Sequence, residues 1–447
     1  MNETTSQDEL MNSMKVSKAV AQMAIPSVIS SLVTVVYNMA DTFFVGQTGD
    51  PLQVAAVSLT NPIFILFMAF ANMFGMGGSA VASIAMGEQN EKRVKNTSAF
   101  VTYASLFVGV IFTLILFLFM NPILSVFGAN VQTYDLARGY MLHIAYGAPF
   151  IIWSAAASFV VRAEGASKEA MIGSMIGTFA NIILDPVFIS VFGMGAAGAA
   201  IATTLGNILA SLYYLWYFLK KSLRFSIHPK YFQCKNHLLT QVCATGLPTA
   251  IFSALMSIST IVLNQILVAY GNAPVAAIGI VFKANMFISF LQMGLANGVQ
   301  PLLGYNYGSG NHMRFVSIER FIKKCCLIVG VLSTILFFVL REPIIRLFIS
   351  DADVVHYGVL MLVAYMLSGP VIGLLFVNMN CMQSTGNALP ATILSILRQG
   401  LLLIPLLYLL NALFGLNGVI YGQALTDYIA VIFSIAIWVV EKKKFAI

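Results

Sequence analysis

Three acids stand inside long apolar stretches of the chain: Asp41, Asp185 and Asp427. A charge at bilayer depth costs at least a few kcal/mol, so an ionisable residue in such a stretch marks an ion or substrate pathway by default. Asp41 shares a helical face with Thr34, Tyr37 and Asn38, and Asp185 shares one with Thr178 and Asn181. Thr203, Asn207 and Tyr140, on neighbouring apolar stretches, supply further oxygens if those helices close on the same point. Two carboxylates in a poorly solvated pocket resist joint ionisation, through desolvation and mutual repulsion, so the pair takes up a proton. With amide and hydroxyl oxygens beside them they are also hard donors for a sodium ion. The residues leave H+ and Na+ both open.

The second half has the opposite balance, with Lys283, Arg398 and Asp427 at depth. Asp427 is expected to neutralise at least one of these cations as a structural ion pair; a sharper reading has Lys283 tuning a cavity or relaying protonation. Tyr37, Asn38, Thr178, Asn207, Lys283 and Arg398 are the candidate lining of a substrate cavity. Pro26, before Asp41, and Pro186, after Asp185, each remove a backbone hydrogen bond and are candidate hinges.

The elements that must position these residues follow from composition. Of 447 residues 59% are hydrophobic and 9% charged, against roughly 25% charged in a soluble domain. That excludes a soluble globular protein, a disordered tail and a nucleic-acid-binding domain, and leaves the lipid bilayer as the solvent. Apolar runs of the about 20 residues needed to cross a bilayer recur twelve times, at 17–46, 52–86, 97–120, 134–160, 169–192, 197–219, 239–270, 275–303, 318–340, 354–381, 390–414 and 417–440. Within the polar segment 1–16, the first fourteen residues carry three acids and lack the basic start and short apolar stretch of a cleavable signal peptide, so insertion by the chain's own helices is expected. With the N-terminus inside, nineteen of 24 basic residues fall on one side, which by the positive-inside rule makes that side cytoplasmic. The basic linker 220–238 and the basic tail 441–447 lie there too. Cys234, Cys243, Cys325, Cys326 and Cys381 contain no C-x-x-C pair, so neither a disulfide framework nor a zinc site is expected.

The halves repeat at an offset near 221 residues. VAAVSL from Val54 meets VAAIGI from Val275, Asn121-Pro122-Ile123 meets Glu342-Pro343-Ile344, Ala148-Pro149 meets Gly369-Pro370, and Gly165 meets Gly386. Segments 17–219 and 239–440 thus read as two six-helix bundles of one orientation, a design in which two bundles rock around a central site.

IPSVISSLVTVVYNMADTFFVG, ANIILDPVFI, FGMGAAGAAIAT, GVQPLLGYNYG and SILRQGLLLIP together resemble the multidrug and toxic compound extrusion (MATE) family. The absence of carboxylates at Asn264, Gln265, Asn378 and Asn380 is similar to its prokaryotic DinF-like branch. The resemblance implies an all-α polytopic fold of twelve transmembrane helices in two pseudo-symmetric bundles. It also implies cation-coupled efflux of lipophilic, often cationic, drugs from the prokaryotic cytoplasmic membrane, with Asp41, Tyr140, Asn181, Asp185 and Thr203 matching the cation site. Na+, where it is the coupling ion, would sit at Asp41, Asn181, Asp185 and Thr203. No cofactor other than H+ or Na+ is implied, and the protein is expected to work as a monomer. No Walker-type G-x-x-x-x-G-K-[ST] occurs, so a gradient is the expected energy source. The alternative is a lipid-linked precursor flippase, which would call for more cavity cations than Lys283 and Arg398. An intramembrane transferase would want clustered acids or a His or Cys nucleophile; His143, the only midspan histidine, reads as a hydrogen-bonding residue, so no enzyme is expected.

Overall fold

A computed structural model describes residues 3–233 and 237–444; Cys234 and Lys235 of the linker and the last three residues of the basic tail lie outside the described residues. Every regular element among the described residues is helical, as lipid demands of backbone that cannot turn to water for hydrogen bonds. The spans are α1 (Val16–Gly46), α2 (Pro51–Gly87), α3 (Glu91–Leu118), α4 (Tyr134–Ala163), α5 (Ser167–Pro186), α6 (Gly195–Trp216), α7 (Leu238–Val268), α8 (Asn272–Gly308) and α9 (His312–Val339). The tenth, α10, is a pair, Ala352–Met366 and Gly369–Ser384, bent by 46° at the break. Pro370 stands in the first turn after that break, where its missing N–H costs nothing. The long segment Leu389–Lys443 breaks at Gly415, whose φ of 57° and ψ of −142° no helix contains, and so holds two spans, α11 (389–414) and α12 (416–444).

The helices outrun the apolar stretches at the linker end because polar caps start them. Asn90 accepts from Arg93 N at 3.0 Å and Asn311 from Arg314 N at 3.1 Å, so α3 and α9 begin about two turns before their apolar runs. These caps are repeat mates. Left-handed backbone recurs in the same way, at Gly49 and Gly271, Gln89 and Gly310, Gly165 and Gly386, and Gly195 and Gly415. The spans form two six-helix bundles, α1–α6 and α7–α12.

The bundles meet along the linker-end halves of α1, α2, α7 and α8, where glycines let backbones touch. A Cβ on Gly77 would stand 1.9 Å from Val242 O, one on Gly246 1.8 Å from Met73 O, and one on Gly308 2.2 Å from Ile84 O. Ser79 Oγ donates to Gln300 Oε1 across the same seam at 3.2 Å.

Two segments read as plain polar connections are built into this end. Residues 1–16 include a helix, Glu3–Asn12, whose Leu10 and Met11 are buried and pack on Gly165 of the first bundle. Met11 O accepts from Asn306 Nδ2 at 3.1 Å and from Arg314 Nε at 3.3 Å, both in the second bundle. The linker is fastened where it leaves the first bundle: buried Glu164 Oε1 accepts from Ser222 Oγ, Leu223 N and Arg224 N at 2.9, 2.8 and 2.7 Å, and its Oε2 from Tyr217 Oη.

Candidate functional site

The acids converge inside the first bundle. Gly177 and Gly206 let α5 and α6 cross closely, since a Cβ on Gly206 would lie 2.6 Å from Gly177 O. That crossing brings Asn181 against Thr203. With its amide turned to satisfy every neighbour, Asn181 Nδ2 donates to Asp185 Oδ2 at 2.9 Å, while its Oδ1 accepts from Thr203 N at 2.9 Å and Thr203 Oγ1 at 3.2 Å. Tyr37 Oη reaches Thr203 Oγ1 at 3.4 Å and ties α1 to the same point. Asp185 has no exposed surface, and its Oδ1 is buried without a hydrogen-bond partner. Asp41 on α1 lies within electrostatic reach of Asp185, and Tyr140 of both.

A small apolar cluster of Val45, Ile189 and Ala199, with Tyr140 packed against it, lies toward the end of the bundle remote from the linker. Just beyond Asp185 the helix changes to a π turn, Val187–Val191, following Pro186. Such widened turns occur often at functional sites. α1, by contrast, runs unbroken through Pro26.

The remaining candidates of this bundle lie on the same helices as the site residues. Asn207 spends its amide on Ser154 Oγ at 2.9 Å and Thr203 O at 2.8 Å, so it fastens α6 to α4. Asn38 donates back to Thr34 O at 2.9 Å, and Thr178 is partly exposed one turn from Asn181. His143 Nδ1 lies 2.7 Å from Gly139 O, within its own helix. The sequence reading missed Ser154 and the Gly177–Gly206 crossing. The spacing Gly173, Gly177 marks close packing but does not name the partner helix.

In the second bundle Arg398 Nε donates to Asp427 Oδ1 at 2.8 Å, and Gln423 Nε2 to the same oxygen at 3.0 Å. The guanidinium also lies 5.2 Å from the Phe252 ring and 6.0 Å from the Phe376 ring, a desolvated cation–π setting. Asp427 thus neutralises Arg398; among the described residues Lys283 makes no ion pair. Among those residues, too, no three His, Cys, Asp or Glu side chains cluster as a metal site, so a cation at Asp41 and Asp185 would rest on two carboxylates plus neutral oxygens.

The sequence profile of the MatE family matches residues 26–187 and again 248–409. The chain belongs to the MATE family. Multidrug export protein MepA of Staphylococcus saprophyticus is 32% identical over 414 residues, covering 93% of this chain and 91% of that protein. Multidrug export protein MepA of Staphylococcus aureus is also 32% identical, over 412 residues, covering 92% of this chain and 91% of the relative. A solved structure described as the outward-facing conformation of a multidrug resistance MATE family transporter of the MOP superfamily superposes with a TM-score of 0.93 at 23% identity, covering 98% of each chain. In this MATE protein Asp41 and Asp185 both fall within the first matched stretch, and the two stretches begin 222 residues apart.

Proposed function

We propose that this protein is a secondary antiporter that exports lipophilic, often cationic, drugs in exchange for an entering H+ or Na+. The observation that carries this reading is Asp185 Oδ1, a buried carboxylate oxygen without a hydrogen-bond partner and within electrostatic reach of Asp41. A buried oxygen of this kind in a membrane bundle favours a proton or a cation upon it. Asp41, Tyr140, Asn181 and Thr203 complete the site: for Na+ the oxygens of Asp41, Asn181, Asp185 and Thr203 are the donors. The relatives named as multidrug export proteins support drugs as the exported class. Carboxylates are lacking at Asn264, Gln265, Asn378 and Asn380, which favours a single coupling locus in the first bundle, the DinF-like arrangement.

The coupling follows from α1. One end of this helix carries Asp41; nearer the other, Ala24 and Val28 pack against Gly298 and Gly294 of α8. Loading the acid pair removes repulsion between α1 and α5, and the resulting shift is delivered along α1 to the seam between bundles, with Pro26 as the flexure. With the Lys- and Arg-rich end in the cytoplasm, a seam closed at that end is the outward-open arm of a rocker switch. Both termini then lie on the cytoplasmic side of the prokaryotic cytoplasmic membrane, and one chain suffices.

The test is ethidium transport in proteoliposomes under an imposed pH or Na+ gradient, for the unmodified protein, Asp41→Asn and Asp185→Asn. Gradient-driven transport should vanish in both variants while ethidium binding persists. Undiminished transport in both would remove the acids from the mechanism.

A further inference from the structure

Away from the acid pair, a cleft of about 560 Å³ opens on the outer surface near the linker end. Phe74 of α2, Phe100, Tyr103 and Phe107 of α3, Phe232 of the linker and Leu239 of α7 line it, with no charged side chain among them. Its walls therefore come from both bundles and from the strap that joins them. The strap is fixed: the Phe232 ring lies parallel to that of Phe100 at 6.4 Å and edge-on to Tyr103 at 5.4 Å. Tyr103 Oη donates to Ile227 O at 2.8 Å.

The cleft is apolar and open to the outside of the bundles. Phe107 is 67% exposed, Leu239 46% and Phe232 43%. Water would find almost nothing to bond there, and an empty cleft forfeits dispersion contacts along its whole lining. A hydrocarbon chain meets both conditions. At the linker end the rim becomes basic. With its amide turned to satisfy its neighbours, Asn96 donates to Tyr231 O at 3.1 Å and to Lys92 O at 3.2 Å, which sets the Lys92 turn of α3 beside the strap. Lys230 Nζ sits 4.9 Å above the Tyr231 ring. The neighbouring Arg93 and Lys95 are paired with Glu88 and Glu91. Lys92 and Lys230, both exposed, are in no ion pair among the described residues. An unneutralised pair of lysines at headgroup depth attracts an anionic lipid.

We propose that this cleft binds one acyl chain of an anionic phospholipid, whose headgroup is held at the rim by Lys92 and Lys230. The site is independent of the acid pair and of the transported drug. Because its walls belong to both bundles, its occupant touches each of them at the closed seam.

Native mass spectrometry of the full chain with equimolar phosphatidylglycerol and phosphatidylcholine tests the assignment. Phosphatidylglycerol should be retained preferentially at one tight site. Each lysine near a charged surface supports roughly fivefold in binding, so Lys92→Gln/Lys230→Gln should lower that preference on the order of twentyfold. Ala104 of α3 also lines the cleft, so Ala104→Trp, placing an indole there, should abolish tight retention of either lipid. Should the bulky variant fail to fold, the lysine variant decides alone, since its side chains are exposed. Equal retention of the two lipids, or an unchanged preference in the lysine variant, would overturn the proposal, as would tight binding that survives in folded Ala104→Trp.

Discussion

Replacing Gly77 by alanine should pry the two bundles apart at the linker end. The added Cβ would lie 1.9 Å from Val242 O, where ordinary contact begins near 3.4 Å, so α2 and α7 must separate by about 1.5 Å. No side chain can turn aside to relieve this, because the obstructing atom is backbone and the reciprocal contact, Gly246 on Met73 O, is backbone too. Overpacking of this kind costs about 1–3 kcal/mol, charged here to the closed seam alone. At about 2 kcal/mol a seam closed 99:1 relaxes to about 3:1. Spin labels at Lys92 and at Met313, the latter 84% exposed, report the separation by pulsed electron paramagnetic resonance in nanodiscs. Gly77→Ala should add a longer-distance population absent from the unmodified protein. Gly46→Ala, where a Cβ meets nothing within 4 Å, should not. Superimposable distributions for all three would show that the seam yields without opening and refute the reasoning.

Arg398→Ala should destabilise the protein by about 3–5 kcal/mol by stranding Asp427, whereas Arg398→Met/Asp427→Leu should be near neutral or stabilising; thermal unfolding in detergent compares them. Glu319 is 4% exposed and accepts from Trp438 Nε1, Lys323 Nζ and Lys442 Nζ at 2.7, 2.6 and 2.7 Å. Glu319→Gln should therefore loosen the end of α12, read as faster hydrogen exchange over 436–442. Glu164→Ala orphans the amides of Leu223 and Arg224, at about 1–3 kcal/mol, and should speed proteolytic cutting of the linker without altering the exchange of α5.

The spans were legible because lipid leaves a chain few options. An apolar run long enough to cross must be a helix, and the expected 17–46, 134–160 and 239–270 differ from α1, α4 and α7 by no more than three residues at either end. Where the reading fell short, the deciding group was polar and local. Asn90 and Asn311 start α3 and α9 early, and Leu10 and Met11 fold a segment whose composition looked like a plain tail.

The acids were legible one at a time, since a carboxylate at depth stands out in any apolar run. Their meeting was not. Helical spacing places Asp41 with Tyr37, and Asp185 with Asn181, but cannot say that those two faces look at one another. The same limit applied in the second bundle, where Asp427 had Lys283 and Arg398 as candidate partners and the packing of α11 on α12 chose Arg398.

The sequence by itself thus determined the solvent, the helices, the repeat and the few residues able to carry charge through lipid, because each depends on composition or on periodicity within one helix. Tertiary structure alone decided which helices touch backbone to backbone at Gly77 and Gly246, and that Asp185 Oδ1 is left without a partner. Those facts rest on distances between residues far apart in the chain, on which local periodicity is silent.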